Sequence, residues 1–108
     1  METRILGRTG RPVSVIGLGT WQLGADWGEV DPADARAVLE TSLEQGITFY
    51  DTADVYGDGR SERFLGEFLA AHPDAGITVA TKVVVISAAT LLRPPVKRST
   101  RRCTGQAT

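Results

Sequence analysis

The sequence predicts an α/β domain built on a parallel sheet, and three observations carry that reading. Apolar spacing alternates between strand and helix periods in the order β-α-β-α-β up to residue 82; the connections are short; and the first helix carries start and stop residues suited to its two ends. Strands that alternate with amphipathic helices pair in parallel through right-handed crossovers. At 108 residues, with 42% hydrophobic and 23% charged residues, the chain is of ordinary globular composition and holds at most one domain.

Residues 5–16 read as two short extended pieces around a turn containing Gly10, a hairpin. The apolar stretch from Val15 to Trp21 has Gly17 and Gly19 set through it. Glycine weakens a strand interior, so these positions point to close approach of a ligand or another backbone. Residues 22–30 read as loop. Asp31 suits a helix N-cap and Pro32 the first helical position. Ala35, Val38, Leu39 and Leu43 then recur at helical spacing as one buried stripe, and Gly46 supplies a left-handed stop.

Residues 47–51 form the next strand, with Ile47, Phe49 and Asp51 on one face by the period of two. A second helix starts with Ser61 as its N-cap and buries Phe64, Leu65, Phe68 and Leu69. The segment from His72 to Gly76 ends it. Residues 77–82 form a further strand with Thr78, Ala80 and Lys82 on one face, which Val83 to Ile86 could prolong.

The patterning stops there, so residues 1–83 read as the folded part and residues 84–108 as a basic, disordered tail. All 13 acidic residues precede Lys82, whereas Arg93, Lys97, Arg98, Arg101 and Arg102 stand in an acid-free stretch rich in Pro and Thr. Such a switch is the pattern that a shifted reading frame in a GC-rich gene produces. Resequencing that found an intact frame through to a natural stop would remove that expectation. The tail has no aromatic residue to stack on bases, and the net charge is −1, so no nucleic-acid partner is expected. The apolar run from Val83 to Leu92 is too short for a membrane span and holds Ser87 and Thr90. The first residues lack a charged segment followed by an apolar one, so no secretory signal is read and a cytoplasmic protein is expected. Cys103 is alone, which excludes an internal disulfide or a cysteine metal site.

The chemistry is carried by Asp51-Thr52-Ala53-Asp54-Val55-Tyr56-Gly57 and by Ala80-Thr81-Lys82. Asp51 and Lys82 end neighbouring strands on one side of the sheet, and Tyr56 follows Asp51 in the next loop. Ligands of parallel α/β folds bind at the carboxyl ends of strands. A free phenol has a pKa of about 10, and a nearby ammonium favours its ionised form. A carboxylate paired with the amine holds it charged and oriented. The trio suits protonation of a carbonyl oxygen while another group attacks the carbon. Each residue taken singly has an ordinary structural reading; their joint placement is what points to chemistry. No Ser/His/Asp set, zinc spacing or P-loop supplies the attacker, so a cofactor hydride is expected. Gly17-Leu18-Gly19 lacks the third glycine and the following helix of a dinucleotide-binding fingerprint.

These segments, with Gly17-Leu18-Gly19-Thr20-Trp21, Gly46-Ile47-Thr48-Phe49-Tyr50 leading into Asp51, and Ser61-Glu62 with Leu65-Gly66, resemble the aldo/keto reductases. The likeness runs from about Arg4 to about Val83, with the motifs in order and at the right intervals. It implies the N-terminal portion of a (β/α)₈ TIM barrel, left incomplete, with the hairpin closing its base. It implies NADPH as cofactor and a small-molecule aldehyde or ketone as substrate. Tyr56 would be the general acid, Lys82 the partner that lowers its pKa, and Asp51 the anchor of Lys82. Gly19, Thr20 and Trp21 would line the nicotinamide and substrate pocket, with Asp51 reaching toward the ribose and Trp27 adding an aromatic wall. The family's catalytic histidine has no counterpart; His72 is expected on the surface near a helix C-terminus. The family's later strands and loops that grip the cofactor are missing, so the 108-residue chain is expected to be inactive alone. Two alternatives follow from the same scaffold: a catalytically silent fragment, or a regulatory binding module of the potassium-channel beta-subunit type.

Overall fold

In the computed structural model, residues 1–24 and 28–84 are described. A hairpin of β1 (Thr3–Ile5) and β2 (Pro12–Ser14) precedes a second sheet of β3 (Gly17–Gly19), β4 (Phe49–Asp51) and β5 (Thr78–Ala80). A 3₁₀ turn covers Trp21–Gly24, and two helices, α1 (Pro32–Glu44) and α2 (Arg60–Ala71), fill the crossovers. The three strands lie parallel in the order β3-β4-β5, as the β-α-β-α-β pattern predicts. The expected tail of residues 84–108 falls, apart from Val84, outside the described residues, as does Trp27.

Register divides the sheet into two faces. Leu18, Tyr50 and Val79 stand in one cross-strand row, and Gly19, Asp51 and Ala80 in the next. Adjacent rows point to opposite faces. The Leu18 row packs on the helices, where Tyr50, Leu39, Leu65 and Phe68 form the core with Leu23 and Ala35. Burying a side chain of leucine size contributes about 1.5–3 kcal/mol. On the other face the Phe49 ring lies against Gly17, where an added β carbon would approach it to 3.0 Å.

Helix α1 starts as its sequence dictates: the Asp31 carboxylate accepts from the Ala33 amide at 2.7 Å. Its end is followed by Gly46 at φ +86°. Its stripe differs from expectation at one place. Val38 is 47% exposed, and Ser42 takes the buried position instead. The run Ala35, Leu39, Ser42 follows the i, i+4, i+7 line that faces the sheet, and Val38 falls on its flank. Ser42 can be buried because its hydroxyl lies within hydrogen-bond distance of both the Leu39 carbonyl, at 2.7 Å, and the Tyr50 hydroxyl, at 2.8 Å.

Helix α2 corrects a second expectation. Its N-cap is Gly59, in the left-handed region at φ +88°, and Ser61 sits inside the first turn with no exposure to solvent. Ser61, Leu65 and Phe68 share the buried face. The 3₁₀ turn at Trp21 replaces part of the expected loop because Leu23 enters the core.

The hairpin is fastened beneath the sheet, at the starts of the strands. Ser14 and Thr48 exchange hydrogen bonds, amide to hydroxyl, at 3.1 and 2.9 Å, and the Arg11 guanidinium donates to the Thr78 hydroxyl at 3.2 Å. The strand ends lie at the opposite edge, where Gly19 is exposed and Asp51 and Ala80 are half-buried. Among the described residues no helix is long and apolar enough to cross a membrane.

Candidate active site

The site grows from a ladder that continues past the strands. The Thr52 amide donates to the Ala80 carbonyl at 2.8 Å, and the Asp54 amide to the Lys82 carbonyl at 3.1 Å. These bonds hold Lys82 beside the chain that leaves Asp51. The Lys82 ammonium donates to both Asp51 oxygens, at 2.8 and 2.9 Å, and to the Thr52 carbonyl at 2.9 Å. About half of each charged side chain is open to solvent. The lysine pKa is raised above the ordinary amine value, first by the hydrogen bond to Asp51; partial desolvation opposes this, and Tyr56 adds a smaller push upward.

Tyr56 joins the pair from the loop between Asp51 and α2. Its ring centre lies 5.4 Å from the Lys82 nitrogen. The Trp21 ring is its other neighbour, stacked at 6.1 Å between centroids with 26° between planes. Asp51, Tyr56 and Lys82, drawn from two segments about 30 residues apart, thus share one corner at the carboxyl ends of β4 and β5.

Two glycines fix the approach of that loop. A β carbon on Gly24 would come within 2.5 Å of the Gly57 nitrogen, so the 3₁₀ turn and the Tyr56 loop touch main chain to main chain. Trp21 is therefore carried to Tyr56 by a contact that only two residues without side chains permit.

Of the residues expected to line a cofactor pocket, Gly19 is exposed and has nothing within 4 Å of the place a β carbon would occupy. Trp21 presents an exposed ring beside it. Thr20, expected as a lining residue, is instead fully buried: its amide and hydroxyl both donate to the Asp51 carbonyl at 2.9 Å. It supports the pocket from below. His72 caps the far end of α2, 2.9 Å from Glu40 and tilted against Phe68. All of β5 separates it from Lys82. Among the described residues no His, Cys, Asp and Glu side chains cluster as a metal site.

Sequence reasoning gives Thr52 no role of its own and reads Ser61 as a helix cap, yet their hydroxyls lie 2.9 Å apart in the buried layer beneath the trio. A signal exists for Ser61, since it stands four residues before Leu65 and seven before Phe68, on the buried line of the helix.

Similarity to known proteins defines the family of the chain. A sequence model of the Aldo/keto reductase family matches residues 15–107. Pyridoxal 4-dehydrogenase of Microbacterium luteolum is 45% identical over 82 residues, which cover 76% of this chain and 24% of that protein. Among solved structures, an aldo-keto reductase of Bacillus halodurans in its holo form superposes with a TM-score of 0.67 at 38% identity, covering 77% of this chain and 26% of that one. An aldo-keto reductase of Klebsiella pneumoniae in complex with NADPH gives a TM-score of 0.56 at 32% identity, covering 67% and 24%. The chain belongs to the aldo/keto reductase family of oxidoreductases. It spans about a quarter of the length of the curated relatives it matches.

Proposed function

We propose that the chain carries the proton-donating corner of an NADPH-dependent carbonyl reductase, in which Tyr56 is the general acid for an aldehyde or ketone. The observation that carries this reading is the convergence of Asp51, Tyr56 and Lys82 at open strand ends, with the ammonium bound by the carboxylate and close to the phenol ring. In this reading β3, β4 and β5 are the first three strands of a (β/α)₈ barrel, and the hairpin lies at its base.

The residues present fit a nicotinamide cofactor. Gly19 leaves its surroundings clear, Trp21 offers a flat exposed ring, and half of the Asp51 carboxylate remains open to accept from a ribose hydroxyl. The relative crystallised with NADPH supports that choice of cofactor. When bound, the nicotinamide supplies a hydride to the carbonyl carbon. The chain's own part is the proton. Tyr56 releases it to the carbonyl oxygen as negative charge develops there, and the Lys82 cation stabilises the charge left on the phenol. Asp51 keeps that cation in place, and Trp21 holds the phenol ring by stacking.

General-acid catalysis contributes about 10²–10⁴-fold. With 4-nitrobenzaldehyde and NADPH, Tyr56→Phe is therefore expected to lower turnover by about that factor, while NADPH affinity measured by fluorescence titration stays within a small factor of the parent. Near-normal turnover in Tyr56→Phe would overturn the assignment.

A further inference from the structure

We propose that Ser61 is a positioning residue that sets the place of the Tyr56 phenol, acting through a buried chain of hydroxyls under the strand ends. The inference rests on the reading of Tyr56 as the acid and extends the machinery to residues that touch neither cofactor nor substrate.

Ser61 holds two segments at once. Its backbone amide donates to the Tyr56 carbonyl at 3.2 Å. Its hydroxyl lies 2.9 Å from the Thr52 hydroxyl, 2.8 Å from the Thr20 hydroxyl and 2.9 Å from the Thr20 carbonyl. All three side chains are buried, with Ser61 and Thr20 wholly closed to solvent.

The directions of these bonds follow from counting protons. Each hydroxyl has one proton to give. The Thr20 hydroxyl gives its proton to the Asp51 carbonyl. Ser61 gives its own to Thr20, between the hydroxyl and the carbonyl oxygen, so Thr52 donates to Ser61. The order is Thr52 to Ser61 to Thr20 to Asp51, with no buried polar side-chain atom left over among the described residues. A chain satisfied at every link in a low-dielectric layer has one favoured arrangement, and a missing link leaves a buried partner unpaired.

The two ends of this chain reach the trio. At one end the Asp51 carbonyl is held while its carboxylate holds Lys82. At the other, Thr52 offers its carbonyl to the same ammonium. Ser61 stands between them and carries Tyr56 on its amide. The helix start therefore cannot shift against the strand ends without moving the phenol relative to Lys82.

The test reads Tyr56 itself. In the full chain the stacking of Trp21 on Tyr56 is expected to give the Tyr56 ring protons a ring-current shift, which Trp21→Leu should remove and so calibrate by NMR. In Ser61→Ala the Tyr56 signals are expected to collapse toward that calibrated unstacked value, while the Tyr50 and Phe68 signals keep their core shifts. Wild-type Tyr56 shifts in Ser61→Ala, with only a lower melting temperature, would mean a purely structural serine and overturn the proposal.

Should Ser61→Ala also lose its core signals, Thr20→Val and Thr20→Ser decide. Valine removes the central hydroxyl at equal volume and should displace the Tyr56 signals, and serine restores it and should return them; equal spectra for the two overturn the proposal. Reduction of 4-nitrobenzaldehyde by NADPH is followed on the same samples. If even the unmodified chain gives none, the reductase reading fails for this chain while the NMR result still stands or falls alone.

Discussion

Gly24 and Gly57 meet with no side chain between them: a β carbon on Gly57 would collide with the Gly24 carbonyl oxygen, and one on Gly24 would lie 2.6 Å from the Tyr56 carbonyl carbon. Gly57 is in addition left-handed, at φ +62°. The contact decides where Trp21 and Tyr56 stand relative to each other.

Gly24→Ala isolates the collision, because Gly24 has no positive φ, and Gly57→Ala adds the left-handed strain of about 1–2 kcal/mol. Both variants are expected to lower stability in urea titrations, Gly57→Ala by more. Gly66 is the control of opposite sign. It lies exposed inside α2, and a β carbon there would meet nothing within 4 Å, so Gly66→Ala should raise stability by about 0.5–1 kcal/mol. A neutral Gly57→Ala would show that the two loops separate freely.

Removing the Asp51 charge tests the electrostatics of the corner. The ion pair is half-exposed and screened by solvent, so its loss is expected to change stability little. The lysine should respond more clearly. Its pKa is raised chiefly by Asp51, so Asp51→Asn is expected to bring it down toward the ordinary 10.5, read from the Lys82 ε-carbon shift across an alkaline titration. The sign follows from linkage: a raised lysine pKa adds stability below the unfolded value and loses it as pH rises through the folded one. An unchanged Lys82 titration in Asp51→Asn would assign the shift to Tyr56 instead.

The order of elements is legible in the sequence because apolar spacing reports which face is buried, and because Asp31-Pro32 and Gly46 mark the ends of α1 locally. The pairing of Asp51 with Lys82 is legible because both end parallel strands, where register brings neighbours together. What escapes are the small polar residues. Ser42, Thr20, Thr52 and Ser61 are buried against the usual preference of their types, and each hydroxyl meets a polar partner from another element. Such partners are tertiary facts with no local signature. Ser61 reads as a cap for the same reason: a serine before an apolar helix resembles one until its hydroxyl is seen bonding sideways to Thr20 and Thr52.

Tyr50 gives the sharpest pH prediction. It is wholly buried under the helices, its hydroxyl lies 2.8 Å from the Ser42 hydroxyl and 3.1 Å from the Ile47 carbonyl, and its ring meets Phe68 edge to face at 5.6 Å between centroids. Burial pushes its pKa above the ordinary 10.0, the Ser42 hydroxyl pulls it partly back, and the Glu40 charge adds to the rise. The folded state thus keeps a proton that the unfolded chain releases near pH 10. Above that pH the unfolded form binds fewer protons, so stability falls with rising pH.

Tyr50→Phe keeps the ring and removes the proton. At neutral pH it should cost about 1 kcal/mol for the lost hydrogen bonds, and the deficit should shrink steadily above about pH 10 as the parent loses its advantage. The Lys82 contribution is common to both proteins and cancels in the difference. Urea unfolding of the two chains from about pH 7 to about pH 11 spans the phenol's ordinary titration range and measures the gap directly. A gap that stays constant across that range would mean the Tyr50 phenol ionises as readily inside the fold as outside it, and the buried layer joining α1 to β4 would have to be wetter than its packing requires.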